Sequence, residues 1–186
     1  MHHYLDIHLR PDPEFPPHQL MAALFAKLHR VLAQSQANAI GVSFPGYAAP
    51  STLGDTLRLF GPVPDLTALM AQPWLSGMRD HATLGAVTPV PATATHRQLQ
   101  RVQAKSNPER LMRRQMRRHG LSEAEGRAAY EGAKAELLSL PFLALASGST
   151  GQTFKLFFKL GSLEAQSQPG TFNAYGLSPT ATVPWF

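Results

Sequence analysis

Cysteine is absent from the 186 residues of this chain. Disulfide frameworks, thiolate metal sites and cysteine nucleophiles are excluded with it, and the composition fits a reducing compartment. Long apolar runs are missing too, since nowhere do about 18 apolar residues follow one another. The opening Met1-His2-His3-Tyr4-Leu5-Asp6 has no apolar core of an export signal. Neither export nor membrane spanning is therefore expected, and the predicted location is the cytoplasm. Charged residues make up only 16%, yet the 44% hydrophobic content lies outside the regime of disordered chains. Nucleotide-hydrolysis and zinc-protease signatures are also lacking. There is no Gly-Lys-Ser/Thr, no G-x-G-x-x-G, and the eight histidines show no H-E-x-x-H or other ligand spacing. No metal and no cofactor are expected.

What the chain does have is concentrated. Between Arg97 and Arg118 stand Arg97, Arg101, Lys105, Arg110, Arg113, Arg114, Arg117 and Arg118 against the single acid Glu109. That stretch nets +7 in a chain whose total is +5, so the remainder nets −2. Arginine supplies a planar fork suited to phosphates and guanine edges. A polyanion is the partner this implies.

The length allows one domain or two small ones, at about 100 to 200 residues each. Tyr4 to Leu9 alternates, with Leu5, Ile7 and Leu9 on one face, and reads as a half-buried strand. Pro17 suits a first helical position, and Leu20, Leu24, Leu28, Val31 and Leu32 give a core-facing stripe to about Gln34. Ile40 to Phe44 and Thr56 to Phe60 are predicted strands on either side of a Gly/Pro/Ser loop. A second helix is predicted after Pro64, over Asp65 to Ala71, and a last strand between about Met78 and Val90. The order βαββαβ is that of a ferredoxin-like α+β domain. We place it at residues 1–92, with residues 93–186 forming a second α+β domain.

In that second domain Ser106-Asn107-Pro108-Glu109 is a helix start, through a capping Asn107, Pro108 at the first position and Glu109 on the dipole. Gly120 supplies the stop, giving a helix over about 108–119. At about 100° per residue, Arg110, Arg113, Arg114, Arg117 and Arg118 share an arc of about 140°, opposite Met112 and Met116. Ser122-Glu123-Ala124-Glu125 is a capping box for a following helix that carries Leu137 and Leu138 and ends before Pro141. Phe142 to Ala146 and Thr153 to Lys159 read as strands around the turn Ser147-Gly148-Ser149-Thr150-Gly151.

Ordinary solvated helices mix charge signs at i,i+4, whereas five arginines on one arc repel. A membrane-surface helix would need larger apolar residues than Leu111, Met112 and Met116 on the other side. A DNA-reading helix would carry varied base readers such as Asn and Gln. An RNA hairpin fits better, because near the open end of a short stem an arginine helix can line up with phosphates. If the segment before the helix is extended, Arg101 and Gln103 share one side, where they can address guanine and adenine edges. The Ser147 to Gly151 turn reads as a hairpin turn whose hydroxyls and N–H groups can also orient a ribose or a phosphate. His29 lies at the margin of the helix stripe. By residue type alone it is as well explained as a half-buried histidine.

The chain as a whole resembles the repeat-processing endoribonucleases of type I-F CRISPR systems. The resemblance rests on Tyr4-Leu5-Asp6-Ile7 with Arg10-Pro11, on Arg101-Val102-Gln103-Ala104-Lys105-Ser106-Asn107-Pro108-Glu109-Arg110, on Ser149-Thr150-Gly151-Gln152, on Tyr175-Gly176-Leu177-Ser178 and on Val183-Pro184-Trp185-Phe186. It implies metal-independent cleavage of precursor RNA at the 3′ base of a repeat stem-loop, retention of the mature crRNA, and protein partners in a crRNA-guided surveillance complex. Among site residues it implies His29 as general base, Ser147 as the residue holding the ribose, and Tyr175 as a support beside the histidine. It further implies Phe154 stacking on the terminal base pair, Arg101 and Gln103 reading base edges, and contacts from Ser149 and Thr150. Arg110, Arg113, Arg114, Arg117 and Arg118 match a phosphate-contacting face, with His119 a further contact. Met112 and Gln115 interrupt an otherwise very basic run. The alternative is a non-catalytic subunit that caps a guide RNA with the same arginine helix. A DNA-binding regulator is a more distant third.

Overall fold

The computed structural model describes residues 1–102, 116–128, 131, 139–147 and 151–186. Gln103, Arg110, Arg113, Arg114, Ser149 and Thr150 lie outside the described residues, as do the predicted helix start at 107–109 and Leu137 and Leu138. The chain is mixed α+β.

Its elements run β1 His3–Leu9, α1 Pro17–Ser35, β2 Gly41–Ser43, β3 Thr56–Gly61, α2 Val63–Ala71, a 3-10 turn Pro73–Leu75, β4 Ala82–Leu84 and β5 Thr88–Pro89. Then come β6 Thr95–Arg97, β7 Leu99–Val102, β8 Phe142–Ala146, β9 Thr153–Leu160 and β10 Val183–Trp185. The alternation of β1 buries Leu5, Ile7 and Leu9, as its pattern requires. The stripe of α1 buries Leu20, Leu24, Leu28, Val31 and Leu32, joined by Met21 and Phe25. Helices α1 and α2 each begin right after a proline held extended, Pro16 and Pro62. The second helix therefore starts two residues earlier than expected and carries Pro64 inside its first turn, where a missing N–H costs nothing.

Strands β2, β3, β1 and β4 form an antiparallel sheet in that spatial order. The single strand expected between Met78 and Val90 is two. β4 pairs Leu84 with Ile7, while β5 pairs Thr88 with Tyr4. Three residues, Gly85 to Val87, thus oppose Leu5 and Asp6 alone, which is a β-bulge. Gly85 N–H still donates to Asp6 O at 2.8 Å, so the segment stays on β1 while its register slips by one residue.

A second antiparallel sheet, ordered β7-β9-β8, packs one face on α1. Leu99, Leu143, Leu145, Leu156 and Phe158 from it share a buried cluster with Leu24, Phe25, Leu28 and Phe44. The two halves of the chain therefore meet in one core.

The C-terminal segment closes the other face of the first sheet. Phe172, Ala181 and Val183 bury Phe60. Arg58 makes a two-pronged bond to Asp6, its register partner on β1, at 2.7 and 2.9 Å, and donates to Phe186 O at 3.0 Å. Its guanidinium also lies 4.0 Å from the Phe186 ring centre and 4.7 Å from that of Tyr4. One buried arginine so ties the end of the chain to its first strand.

In the basic region, residues 116–119 are helical and end at Gly120, whose φ of +63° is the left-handed conformation of a helix stop. Leu121 N–H donates back to Met116 O at 3.2 Å. The capping box forms as expected: Glu125 accepts from Ser122 N–H and Oγ at 2.9 and 2.7 Å, and Ser122 Oγ accepts from Glu125 N–H at 3.3 Å. The bonds from the Ser122 hydroxyl and N–H lower the pKa of the Glu125 carboxyl. No helix among the described residues is long and apolar enough to cross a membrane.

Candidate active site

His29 lies one helical turn after Phe25 on α1, half-buried at the edge of the core. Its counterpart arrives from 145 residues away: Nδ1 lies 2.9 Å from the backbone oxygen of Ala174. A carbonyl only accepts, so Nδ1 bears the hydrogen of this bond, and in the neutral ring that leaves the lone pair on Nε2. One backbone contact fixes both the tautomer and the tilt of the ring. The next residue supplies a flat support, because the Tyr175 ring stacks on His29 at 3.8 Å between centroids and 3° between planes. Phe25 extends the stack behind Tyr175 at 6.1 Å and 15°.

A tight turn explains why Ala174 and Tyr175 sit there. Asn173 Oδ1 accepts from Tyr175 N–H at 2.8 Å and from Leu177 N–H at 3.3 Å, while Asn173 O accepts from Gly176 N–H at 2.8 Å. Gly176 takes φ +67° and hands its carbonyl to Val42 N–H of β2 at 3.0 Å. A Cβ at Gly176 would stand 2.5 Å from Val42 Cγ1, so only glycine lets the loop lie this close to β2. The loop is held to the sheet, and the histidine is held to the loop.

Arg101 joins the same cluster. On β7 it is paired with Phe158 and shares the inner face with Leu99, and its guanidinium carbon lies 5.2 Å from the Tyr175 ring centre. Its Nε is buried with no acceptor among the described residues. At 5.2 Å the guanidinium makes a cation–π contact with the tyrosine ring. Arg97, counted with the basic segment, has a structural task instead. Its Nε donates to Gly161 O at 3.0 Å and its guanidinium lies 5.4 Å from Trp185.

Ser147 follows the last residue of β8, the strand against which α1 packs. Its N–H donates to Gln152 O at 2.9 Å and its carbonyl accepts from Gly151 N–H at 2.8 Å, closing the β8–β9 hairpin. Gly151 takes φ +67° there. Phe154, opposite Leu145 on β9, is half-buried against the main core. Arg117, Arg118 and His119 are exposed on helical residues 116–119. Among the described residues no group of three or more His, Cys, Asp or Glu could hold a metal ion.

The structure therefore brings His29, Tyr175 and Arg101 together, and sets Ser147 at the end of the neighbouring strand. Reading the sequence missed Asn173 and Ala174. An Asn three residues before a Gly is a turn signal that could have found the first. The Ala174 carbonyl carries no side-chain signal at all.

A histidine bonded through Nδ1 to a carbonyl, stacked on a tyrosine that an arginine also covers, is an arrangement that can serve proton transfer near an anion. Comparison with known proteins gives that class a family. A profile described as CRISPR-associated protein (Cas_Csy4) matches residues 4–186. Across the full length of both proteins, the chain is 54% identical over 187 residues to the CRISPR-associated endonuclease Cas6/Csy4 of Pseudomonas aeruginosa (strain UCBPP-PA14). It is 46% identical over 186 residues, again full length on both sides, to the protein of the same name from Escherichia coli (strain UTI89 / UPEC). The chain belongs to the Cas_Csy4 family of CRISPR-associated proteins.

Proposed function

We propose that this CRISPR-associated endoribonuclease cleaves precursor RNA at the 3′ base of a repeat hairpin, without metal, and stays bound to the mature crRNA. His29 Nε2 takes the proton of a 2′-OH, whose oxygen attacks the adjacent phosphorus to form a 2′,3′-cyclic phosphate. The bond to the 5′ oxygen breaks, and that oxygen leaves as a 5′-OH after gaining a proton from water. No metal-bound water is needed, because the nucleophile is part of the substrate and already close to its target. Ser147 holds the ribose, and Tyr175 keeps the histidine ring in place.

Recognition is divided. Arg101 and Gln103 read base edges, and Phe154 stacks on the terminal pair. Arg110, Arg113, Arg114, Arg117 and Arg118 bind phosphates, assisted by His119, Ser149 and Thr150. The framework is inferred as two units, 1–92 and 93–186. The first is ferredoxin-like: its antiparallel order β2-β3-β1-β4, with both helices as crossovers, supports that reading. Acting in the cytoplasm, the protein keeps its product as a subunit of a crRNA-guided surveillance complex.

The observation that carries this reading is the bond from His29 Nδ1 to Ala174 O with Tyr175 stacked on the ring. The test is incubation of a repeat hairpin with the protein in EDTA, followed by analysis of the product ends. Cleavage leaving a cyclic phosphate is expected. An intact hairpin bound at the same protein concentration would instead support the non-catalytic RNA-capping subunit.

A further inference from the structure

The second sheet has an edge that nothing guards. Its outer strand β8, Phe142–Ala146, pairs with β9 alone among the described residues. The five residues are Phe, Leu and Ala, without charge or proline, and their register against β9 runs without a bulge. Sheet edges are normally blunted by such features or covered, because an open edge recruits other strands. The other edges of the two sheets obey that rule. Val42 of β2 donates to Gly176 O, β4 and β5 are three and two residues long around the bulge, and β7 carries Gln100 and Arg101.

The register shows which groups of β8 are open. Phe158 N–H donates to Pro141 O at 3.0 Å and Ser147 N–H to Gln152 O at 2.9 Å, so 141, 143, 145 and 147 bond toward β9. Phe142, Ala144 and Ala146 therefore aim their N–H and C=O the other way, where no backbone group of the described residues meets them. That side opens into a cavity of about 890 Å³, lined by the whole run 141–146. Successive side chains of a strand point to opposite faces, so a cavity that touches six in a row runs along the edge. Its other walls are α1, with Ala22, Ala23 and Ala26, and the loop 50–55.

Among the described residues no lysine or arginine lines this groove, and Asp55 is its one carboxylate. In a chain of net charge +5 it is a poor seat for RNA. The outward N–H and C=O groups of an edge strand are matched by another extended polypeptide backbone. A second folded copy meets the edge badly, because its own β8 lies between the same two walls. We propose that the groove receives an extended, apolar segment of a partner protein, which adds to β8 as a fourth strand of the second sheet. The inference rests on the function proposed above only for the source of that partner, a protein that shares the mature crRNA.

The experiment assembles the full chain with crRNA and the purified protein subunits of the crRNA-guided complex, and compares wild type with Ala144→Pro and Ala23→Arg. Ala144→Pro removes an outward N–H without breaking a bond of the sheet. Ala23→Arg fills the groove from α1 and leaves β8 untouched. In wild type the amides of Phe142, Ala144 and Ala146 should exchange about tenfold more slowly in the complex than in the free protein. Each variant should join the complex with about tenfold lower affinity, and its unchanged cleavage of a repeat hairpin shows that it folds. Full-strength assembly of both variants would overturn the proposal, as would amides of β8 that exchange alike in the free and assembled protein. A wild-type dimer that Ala144→Pro abolishes would give the edge to a second copy and overturn it too. Wild type that cuts the hairpin yet joins none of the subunits would remove the complex from the functional reading, and this proposal with it.

Discussion

Two regions of the molecule are built in opposite ways. The basic stretch from Arg97 to Arg118 is local: its charge is set by residues adjacent in sequence, and it nets +7 before any folding. The His29 cluster is assembled only by folding, from α1, β7 and a loop 145 residues beyond the histidine. Affinity for a polyanion can be supplied by charge density wherever that charge is displayed. Proton transfer requires one nitrogen, one tautomer and one orientation. The difference predicts that substitutions in the cluster damage rate, while substitutions in the basic stretch damage binding.

The largest expected effect is that of His29→Ala. Positioned general bases contribute about 10² to 10⁴ in rate, so cleavage should fall by that order while hairpin affinity stays nearly constant. A single-turnover assay at saturating enzyme, paired with a binding titration, separates the two. A 2′-H at the cleavage position should block the reaction equally, since the nucleophile is gone. Continued cutting of that substrate would mean that water attacks. Wild-type rates in the variant would move the base elsewhere.

A sharper version leaves every chemical group of the cluster in place. Gly176→Ala puts a methyl at φ +67°, about 2.5 Å from Val42 Cγ1 in the core. The strain of a non-glycine residue there, about 1 to 3 kcal/mol, is relieved only if the loop lifts off β2. Ala174 O and Tyr175 would move with it. We expect cleavage to drop by about tenfold or more, with hairpin affinity changed little and the folded state verified by circular dichroism. A full-rate Gly176→Ala enzyme would show that the loop tolerates the shift, and that the histidine does not depend on it.

These two regions also differ in how far they are legible in the sequence. Alternation in β1, the stripe of α1, the Ser122 capping box and the β8–β9 hairpin follow from neighbouring residues, and each forms as its pattern dictates. The break between β4 and β5 does not, because a bulge is a property of register against a partner strand. Nor does the two-pronged bond from Arg58 to Asp6, 52 residues apart. By residue type alone His29 is indistinguishable from a half-buried histidine. What sets it apart in the fold is a backbone carbonyl and a tyrosine ring that no periodicity places. Arg97 is the reverse case, a cation counted with the basic stretch that the fold uses to bond Gly161 and cover Trp185.

Arg101 stands between the two regions and tests whether they are separable. Arg101→Ala and Gln103→Ala should each weaken binding to the cognate stem more than to a stem with the contacted pairs changed. A good bidentate base contact is worth about 1 to 3 kcal/mol. Equal losses on every stem would reassign both residues to phosphate positioning. A fall in the saturated cleavage rate for Arg101→Ala alone would assign its contact with the Tyr175 ring a part in holding the histidine.

The smallest effect per residue belongs to the arginines from Arg110 to Arg118, and it is read best as a slope. Removing one cation from one phosphate should reduce the magnitude of the slope of log K against log salt by about 0.7 to 0.9, the values for single strands and B-form duplex. Arg114 and Arg118 are four positions apart in sequence, and Arg118 is exposed on a helical residue. Replacing both by alanine should flatten the slope by up to twice that amount and cost affinity alike on two unrelated hairpins, because phosphates carry no sequence information. The cleavage rate at saturation should not change, since neither residue belongs to the His29 cluster. A salt titration of wild type and double variant on both hairpins, with the saturated rate measured alongside, reads all three quantities. An unchanged slope would mean that these two side chains meet solvent or a protein partner, and that the RNA is held by other cations of the chain. A changed saturated rate would break the division itself, by making the basic stretch part of the machinery that places the 2′-OH against His29.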